Sequence, residues 1–165
     1  MKNIDYLILK KVSENLLKRD EKIAVVESVT AGGLQIAFSQ MPKASESFQG
    51  GMTTYTAESK ITLLNIDALE AEKFDCVSQN IAEKMAKNIL KYFDVDWSIA
   101  ITGYSTPVPE SHQKLFAFYA IAYKSKIISS QRVELQNNLS DLDAKEIYIK
   151  IMLNDFLQHL RIENQ

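Results

Sequence analysis

The sequence predicts an α/β protein: a three-layer α/β/α sandwich around a mixed sheet, made by a single domain over residues 1–165. Three observations carry this. Ile23-Ala-Val-Val26 and Trp97-Ser-Ile-Ala-Ile-Thr102 are short, almost wholly apolar runs, with the length and composition of strands buried on both faces. Segments with apolar residues at helical spacing lie before, between and after them. Towards the end, Leu115 to Tyr123 and Ile127 to Leu135 read as two strands joined by the polar turn Lys124-Ser-Lys126, a hairpin that makes the sheet mixed.

The elements follow in order. Ile4, Leu7, Ile8, Val12, Leu16 and Leu17 predict an amphipathic first helix ending near Arg19-Asp20. After the strand Ile23 to Val26, a helix is expected from about Thr30 to Gln40, where Pro42 stops it. Gly50-Gly51 leads into Met52-Thr-Thr-Tyr55, a short strand of β-forming residues. Helical segments are expected over Ala57 to Leu64 and Ala68 to Lys73. Ser78 is placed to cap a helix from Gln79 to Phe93, with a stripe that includes Ile81, Met85 and Ile89. The strand Trp97 to Thr102 ends at Gly103, and Pro107 and Pro109 keep the next loop irregular. Ser140 caps a last helix carrying Ala144, Ile147, Ile151, Phe156 and Leu160.

Composition narrows the class of function. The net charge is −2 and acids and bases are interleaved, so neither a nucleic-acid footprint nor a membrane-surface helix is indicated. No apolar run approaches the roughly 18 residues of a membrane span, and the start lacks a signal-peptide core. The single cysteine, Cys76, cannot close an internal disulfide, which fits a reducing cytoplasm. It reads as a small buried hydrophobe, since no His or second Cys lies near it in sequence. His112 and His159 are far apart, so no metal-ligand cluster is expected, and His159 reads as an exposed helix-end residue.

Chemistry concentrates in two stretches. Val25-Val-Glu-Ser-Val-Thr-Ala-Gly-Gly33 reads as a strand that stops at Glu27-Ser28 and turns into a helix. It sets a hydroxyl where unpaired backbone N–H groups and the positive end of a helix dipole point at whatever binds. Tyr55-Thr-Ala-Glu-Ser-Lys60 then places a phenol and an ammonium where they can share a site across a turn. Ser28, Tyr55 and Thr102-Gly103 all stand at strand exits, the end of an α/β sheet where ligands bind. The same residues also fit plainer roles. Ser28 or Thr30 can be a helix N-cap, Gly32-Gly33 can allow close helix packing, and Tyr55 and Lys60 can be the surface of a helix start.

These residues resemble a known family. Val25 to Gly32 is similar to the Ala-Glu-Ser-Cys-Thr-Gly-Gly signature of the CinA C-terminal domain of competence- and damage-inducible proteins. The likeness continues through Phe48-Gln-Gly-Gly-Met-Thr-Thr-Tyr55, Tyr55 to Lys60, Val77-Ser78, Met85-Ala86 and Ala100-Ile-Thr-Gly103, without gaps from Glu27 to about Lys114. Active members are nicotinamide-nucleotide amidohydrolases, which convert nicotinamide mononucleotide to nicotinate mononucleotide and ammonia. The resemblance implies a metal-independent, cofactor-free serine amidohydrolase acting on that nucleotide or a related small amide, cytoplasmic and homo-oligomeric. It also implies a stand-alone form, with no room for the molybdopterin-binding-like domain fused to many members. The family's nucleophilic serine falls on Ser28, its tyrosine on Tyr55 and its lysine on Lys60. Thr30, Ala31 and Gly32 stand where an oxyanion would be held, and Thr102, Gly103, Ser111 and Lys114 where substrate would lie.

The sequence departs from the family at three places. Val29 replaces a cysteine and Ala31 a glycine. Thr106-Pro-Val-Pro-Glu-Ser111 replaces a glycine-rich run that can wrap a phosphate. Pro109 lacks an N–H and the Glu110 carboxylate repels phosphate, so the exact substrate is open, as is the alternative of a non-catalytic domain that binds a nucleotide or a protein.

Overall fold

The computed structural model describes residues 5–162. Ile4 of the expected first helix lies outside them. Helix α1 (Tyr6–Arg19) is capped by the Asp5 carboxylate and closed by Asp20 in the left-handed region. Its buried stripe is Leu9, Val12, Ser13 and Leu16, whereas Leu7 is exposed. The apolar face is therefore turned from the one the sequence suggested, and Ser13 joins it by donating to the Pro42 carbonyl at 2.6 Å.

Strand β1 (Ile23–Glu27) runs to helices α2 (Gly33–Ser39) and α3 (Ala44–Ser47) and then to β2 (Phe48–Thr53). Helices α4 (Ala57–Leu64), α5 (Ala68–Lys73) and α6 (Gln79–Asn88) lead to β3 (Trp97–Gly103). Strands β4 (Leu115–Tyr123) and β5 (Lys126–Leu135) and helix α7 (Asp141–Ile162) complete the order. The sheet order is β2-β1-β3-β4-β5. The β2, β1 and β3 strands are parallel, and β3, β4 and β5 are joined antiparallel. Lys124 and Ser125, both at positive φ, form the two-residue hairpin turn between β4 and β5.

Helix α6 stops at Asn88 and not at the expected Phe93, with Ile89–Lys91 continuing as a 3-10 turn. Two other elements differ from expectation for tertiary reasons. Strand β2 starts at Phe48 and includes both glycines, because a Cβ at Gly51 would lie 2.4 Å from the Val25 carbonyl. It ends at Thr53, so Tyr55 stands beyond the strand and not at its tip. Helix α2 begins only at Gly33, because Ala31 and Gly32 take φ values of 51° and 96° and fold residues 28–32 into turns.

Large side chains cover one face of the sheet, where Val25, Trp97, Ile99 and Ile121 pack against α1, α2 and α7. The other face is built from small residues, Ala24, Ala100, Ala120 and Ala122, which let α6 come close. The layers are thus helix, sheet, helix. The connection leaving β1 runs to one side and that leaving β3 to the other. Their carboxyl ends flank the crevice where open α/β sheets bind ligands.

Candidate active site

A cavity of about 390 Å³ opens at that crevice, within the range of small-molecule sites. Three strand ends and two helical loops build its walls. Ser28 follows β1 directly. Its N–H continues the ladder to the Ile101 carbonyl at 3.1 Å, which fixes the backbone under the hydroxyl. Its side chain caps no helix, since the residue before α2 is Gly32 and no side chain caps there.

Glu27, the last residue of β1, takes the capping role instead. This wholly buried carboxylate accepts from the Leu34 and Gln35 amides at 2.8 Å each and from the Thr30 hydroxyl at 2.6 Å. The N-terminus of α2 is therefore filled by the protein's own anion. Thr30, Ala31 and Gly32 lie outside the cavity wall, and the Ala31 amide is taken by the Ser28 carbonyl. Val29 does line the cavity, and among the described residues its N–H has no backbone partner.

The loop after β2 supplies Tyr55 and Lys60. Thr56 and Ser59 form a capping box that starts α4 and sets Lys60 one turn inside the helix. Lys60 is only 2% exposed, while Tyr55 is 65% exposed at the rim. Burial pulls the Lys60 ammonium below the usual lysine range, and Cys76 and Asp75 oppose this in part. Ser28, Tyr55 and Lys60 face one cavity, and no direct hydrogen bond joins any two of them.

The α5–α6 connection closes the far side with three residues that the motif reading did not place in the site. Asp75, Cys76 and Val77 all line the cavity, Asp75 and Cys76 in left-handed conformations of φ 48° and 59°. The Thr102 hydroxyl donates to the Cys76 carbonyl at 2.8 Å, and the Tyr104 hydroxyl donates to the Asp75 carboxylate at 2.9 Å. Tyr104 is itself held by its amide to Phe116 and by Tyr148 donating to its carbonyl. Burial pushes the Tyr104 phenol and the Cys76 thiol up, the latter moderated by Lys60. Cys76 is thus buried as expected, and also beside Lys60. Sequence spacing hid this, because α4 and α5 intervene.

Thr102 and Gly103 line the cavity as expected. A Cβ at Gly103 would meet Ala117 at 2.5 Å, so β4 requires glycine there. Ser111 and Lys114 lie outside the wall. Ser111 is buried and its hydroxyl is engaged with Val108, while Lys114 is exposed. His159 is half-buried, not exposed, with Nε2 3.3 Å from the Asp155 carboxylate. Among the described residues no three His, Cys, Asp or Glu side chains gather as a metal site, and no helix is long and apolar enough to cross a membrane.

Fold and site together define an α/β protein with a polar, ligand-sized cavity at the topological switch point. The model of the CinA C-terminal domain matches residues 6–153, and the chain belongs to that family. It is 35% identical over 147 residues to a CinA-like protein of Prochlorococcus marinus, covering 89% of this chain and 34% of that protein. A putative competence-damage inducible protein of Streptococcus thermophilus is 36% identical over 128 residues, covering 77% of this chain and 30% of its own length. The chain spans about a third of the curated relatives it matches. Crystal structures of a CinA superfamily protein from Klebsiella pneumoniae and a competence or damage-inducible protein from Enterobacter asburiae share the fold. Their TM-scores are 0.89 and 0.88 at 20% and 22% identity, each covering 96% of this chain and 99% of the other.

Proposed function

We propose that this protein is a serine amidohydrolase that releases ammonia from nicotinamide mononucleotide or a related small primary amide. The observation that carries the reading is Lys60: a buried lysine, without an ion-pair partner among the described residues, on the same cavity as the Ser28 hydroxyl. A lysine becomes a competent base when burial makes its neutral form accessible. Lys60 takes the Ser28 proton as Oγ attacks the amide carbon, and the carbonyl becomes a tetrahedral oxyanion. The Val29 N–H, directly after the nucleophile and without a backbone partner among the described residues, stabilises that charge. Collapse breaks the C–N bond, Lys60 returns the proton to the departing nitrogen, and ammonia leaves an acyl ester on Ser28. Water, deprotonated by the same lysine, hydrolyses the ester to the acid. Tyr55 at the rim orients Lys60 or relays the proton between it and the reacting groups.

The test is ammonia release from nicotinamide mononucleotide and from nicotinamide riboside by the protein and by Ser28→Ala. Hydrolysis of either amide that disappears in the variant supports the reading. No release from either overturns it and leaves the non-catalytic binding domain.

A further inference from the structure

We infer that the cavity selects a primary amide that carries no phosphate and is itself neutral or cationic, so that within the nicotinamide series it takes the nucleoside over the nucleotide. This rests on the reading of the site as an amidohydrolase centre, and it follows from where the charges lie. The ionisable groups on the wall other than phenols and a thiol are Asp75, Glu110 and Lys60, two carboxylates against one ammonium. When Lys60 works as a base it is neutral, and the wall is then purely acidic.

Several of the usual ways of holding a phosphate are already used. The N-terminal amides of α2 are taken by Glu27. At the start of α6, Ser78 accepts from Ile81, and the Glu70 carboxylate lies beside it, bound by Asn80 and Lys84. The loop that stands in place of a flexible glycine run is closed on itself. Its Ser111, His112, Gln113 and Lys114 amides donate to carbonyls within the loop, and Val108 donates to the Ser111 hydroxyl. Pro107 and Pro109 have no N–H to offer. Ser105, on the wall, donates to Asp141, whose other oxygen holds Lys145 at 2.8 Å, so that cation is paired as well. A dianionic phosphate would be repelled by the Asp75 and Glu110 carboxylates, whereas a pyridinium ring would be attracted by them.

The experiment compares kcat/KM for nicotinamide riboside and nicotinamide mononucleotide at low and at physiological salt, in the parent and in Glu110→Gln. Binding of both compounds to Ser28→Ala is followed by calorimetry. The riboside should be favoured about tenfold in the parent, with the preference shrinking as salt screens the rim and narrowing several-fold in Glu110→Gln. Equal or better use of the mononucleotide overturns the inference while leaving the amidohydrolase standing. If neither compound is hydrolysed, the amidohydrolase reading falls and binding decides this one. Tighter riboside binding supports it, whereas tighter mononucleotide binding, equal binding of the two, or no detectable binding of either overturns it.

Discussion

Lys60 holds the sharpest conflict between stability and function. Its ammonium is buried and its folded pKa is lowered by desolvation, so the protonated form costs folding free energy. The unfolded chain binds more protons between the lowered value and the ordinary 10.5, so stability rises with pH across that window. Below the folded value the full penalty remains. Lys60→Met should therefore abolish hydrolysis, flatten that dependence and raise stability by about 1 kcal/mol at neutral pH, read by urea unfolding. In the parent, kcat/KM should climb as Lys60 loses its proton. A rate that stays flat across the pH range in which Lys60 itself is seen to titrate would remove it as the base. Ser28→Ala should lower turnover by several powers of ten and stability by less than about 0.5 kcal/mol, because Ser28 caps no helix. Ala31, at φ 51°, occupies a conformation that costs an L-residue about 1–2 kcal/mol. After the larger chain entropy of glycine is subtracted, Ala31→Gly should still stabilise by about 0.5–1 kcal/mol in the same measurement.

At the scale of elements, the junction of β1 and α2 depends on a strand residue capping the following helix. Glu27→Ala would leave the buried Leu34 amide, the part-buried Gln35 amide and the Thr30 hydroxyl without an acceptor, at a cost of about 3 kcal/mol or more. Glu27→Gln keeps the shape but turns one acceptor into a donor facing an N–H, and should cost about 1–3 kcal/mol. If both variants unfold like the parent in denaturant, the cap is not what holds α2. Strand β2 depends on Gly51 in a different way. A methyl there would sit 2.4 Å from the Val25 carbonyl, so Gly51→Ala should loosen the β1–β2 pairing by about 2–3 kcal/mol. Since Tyr55 and Lys60 hang from the end of β2, activity should fall with it, more than stability alone requires.

Across the whole molecule the sheet is asymmetric, and the asymmetry places the site. Alanines on one face let α6 approach until the Ser98 hydroxyl reaches the Ala86 carbonyl at 2.6 Å. That approach swings the α5–α6 connection over the ends of β1 and β3, where Thr102 and Tyr104 pin it. Ala100→Leu, by overpacking this face, should cost about 1–3 kcal/mol and displace Asp75 and Cys76 from the cavity. A crystal structure of the variant checks the displacement, and thermal unfolding checks the cost.

The sequence by itself determined the layers, the buried strands β1 and β3, the caps at Ser78 and Ser140, the hairpin turn, and the gathering of Ser28, Tyr55, Lys60, Thr102 and Gly103 at one end of the sheet. Each of these follows from a local pattern: apolar period, a capping side chain, the rule that strand exits carry ligands, or, for Tyr55 and Lys60, their spacing across a turn and the family motif. Tertiary structure alone decided the burial of Lys60 and the arrival of Asp75, Cys76 and Tyr104 on the cavity wall. It also decided the capture of the α2 N-terminus by Glu27 and the removal of Thr30, Ala31, Gly32, Ser111 and Lys114 from that wall. The physical reason is common to all of these. Desolvation and charge at a site are set by which distant segments pack over it, and sequence spacing does not record that distance.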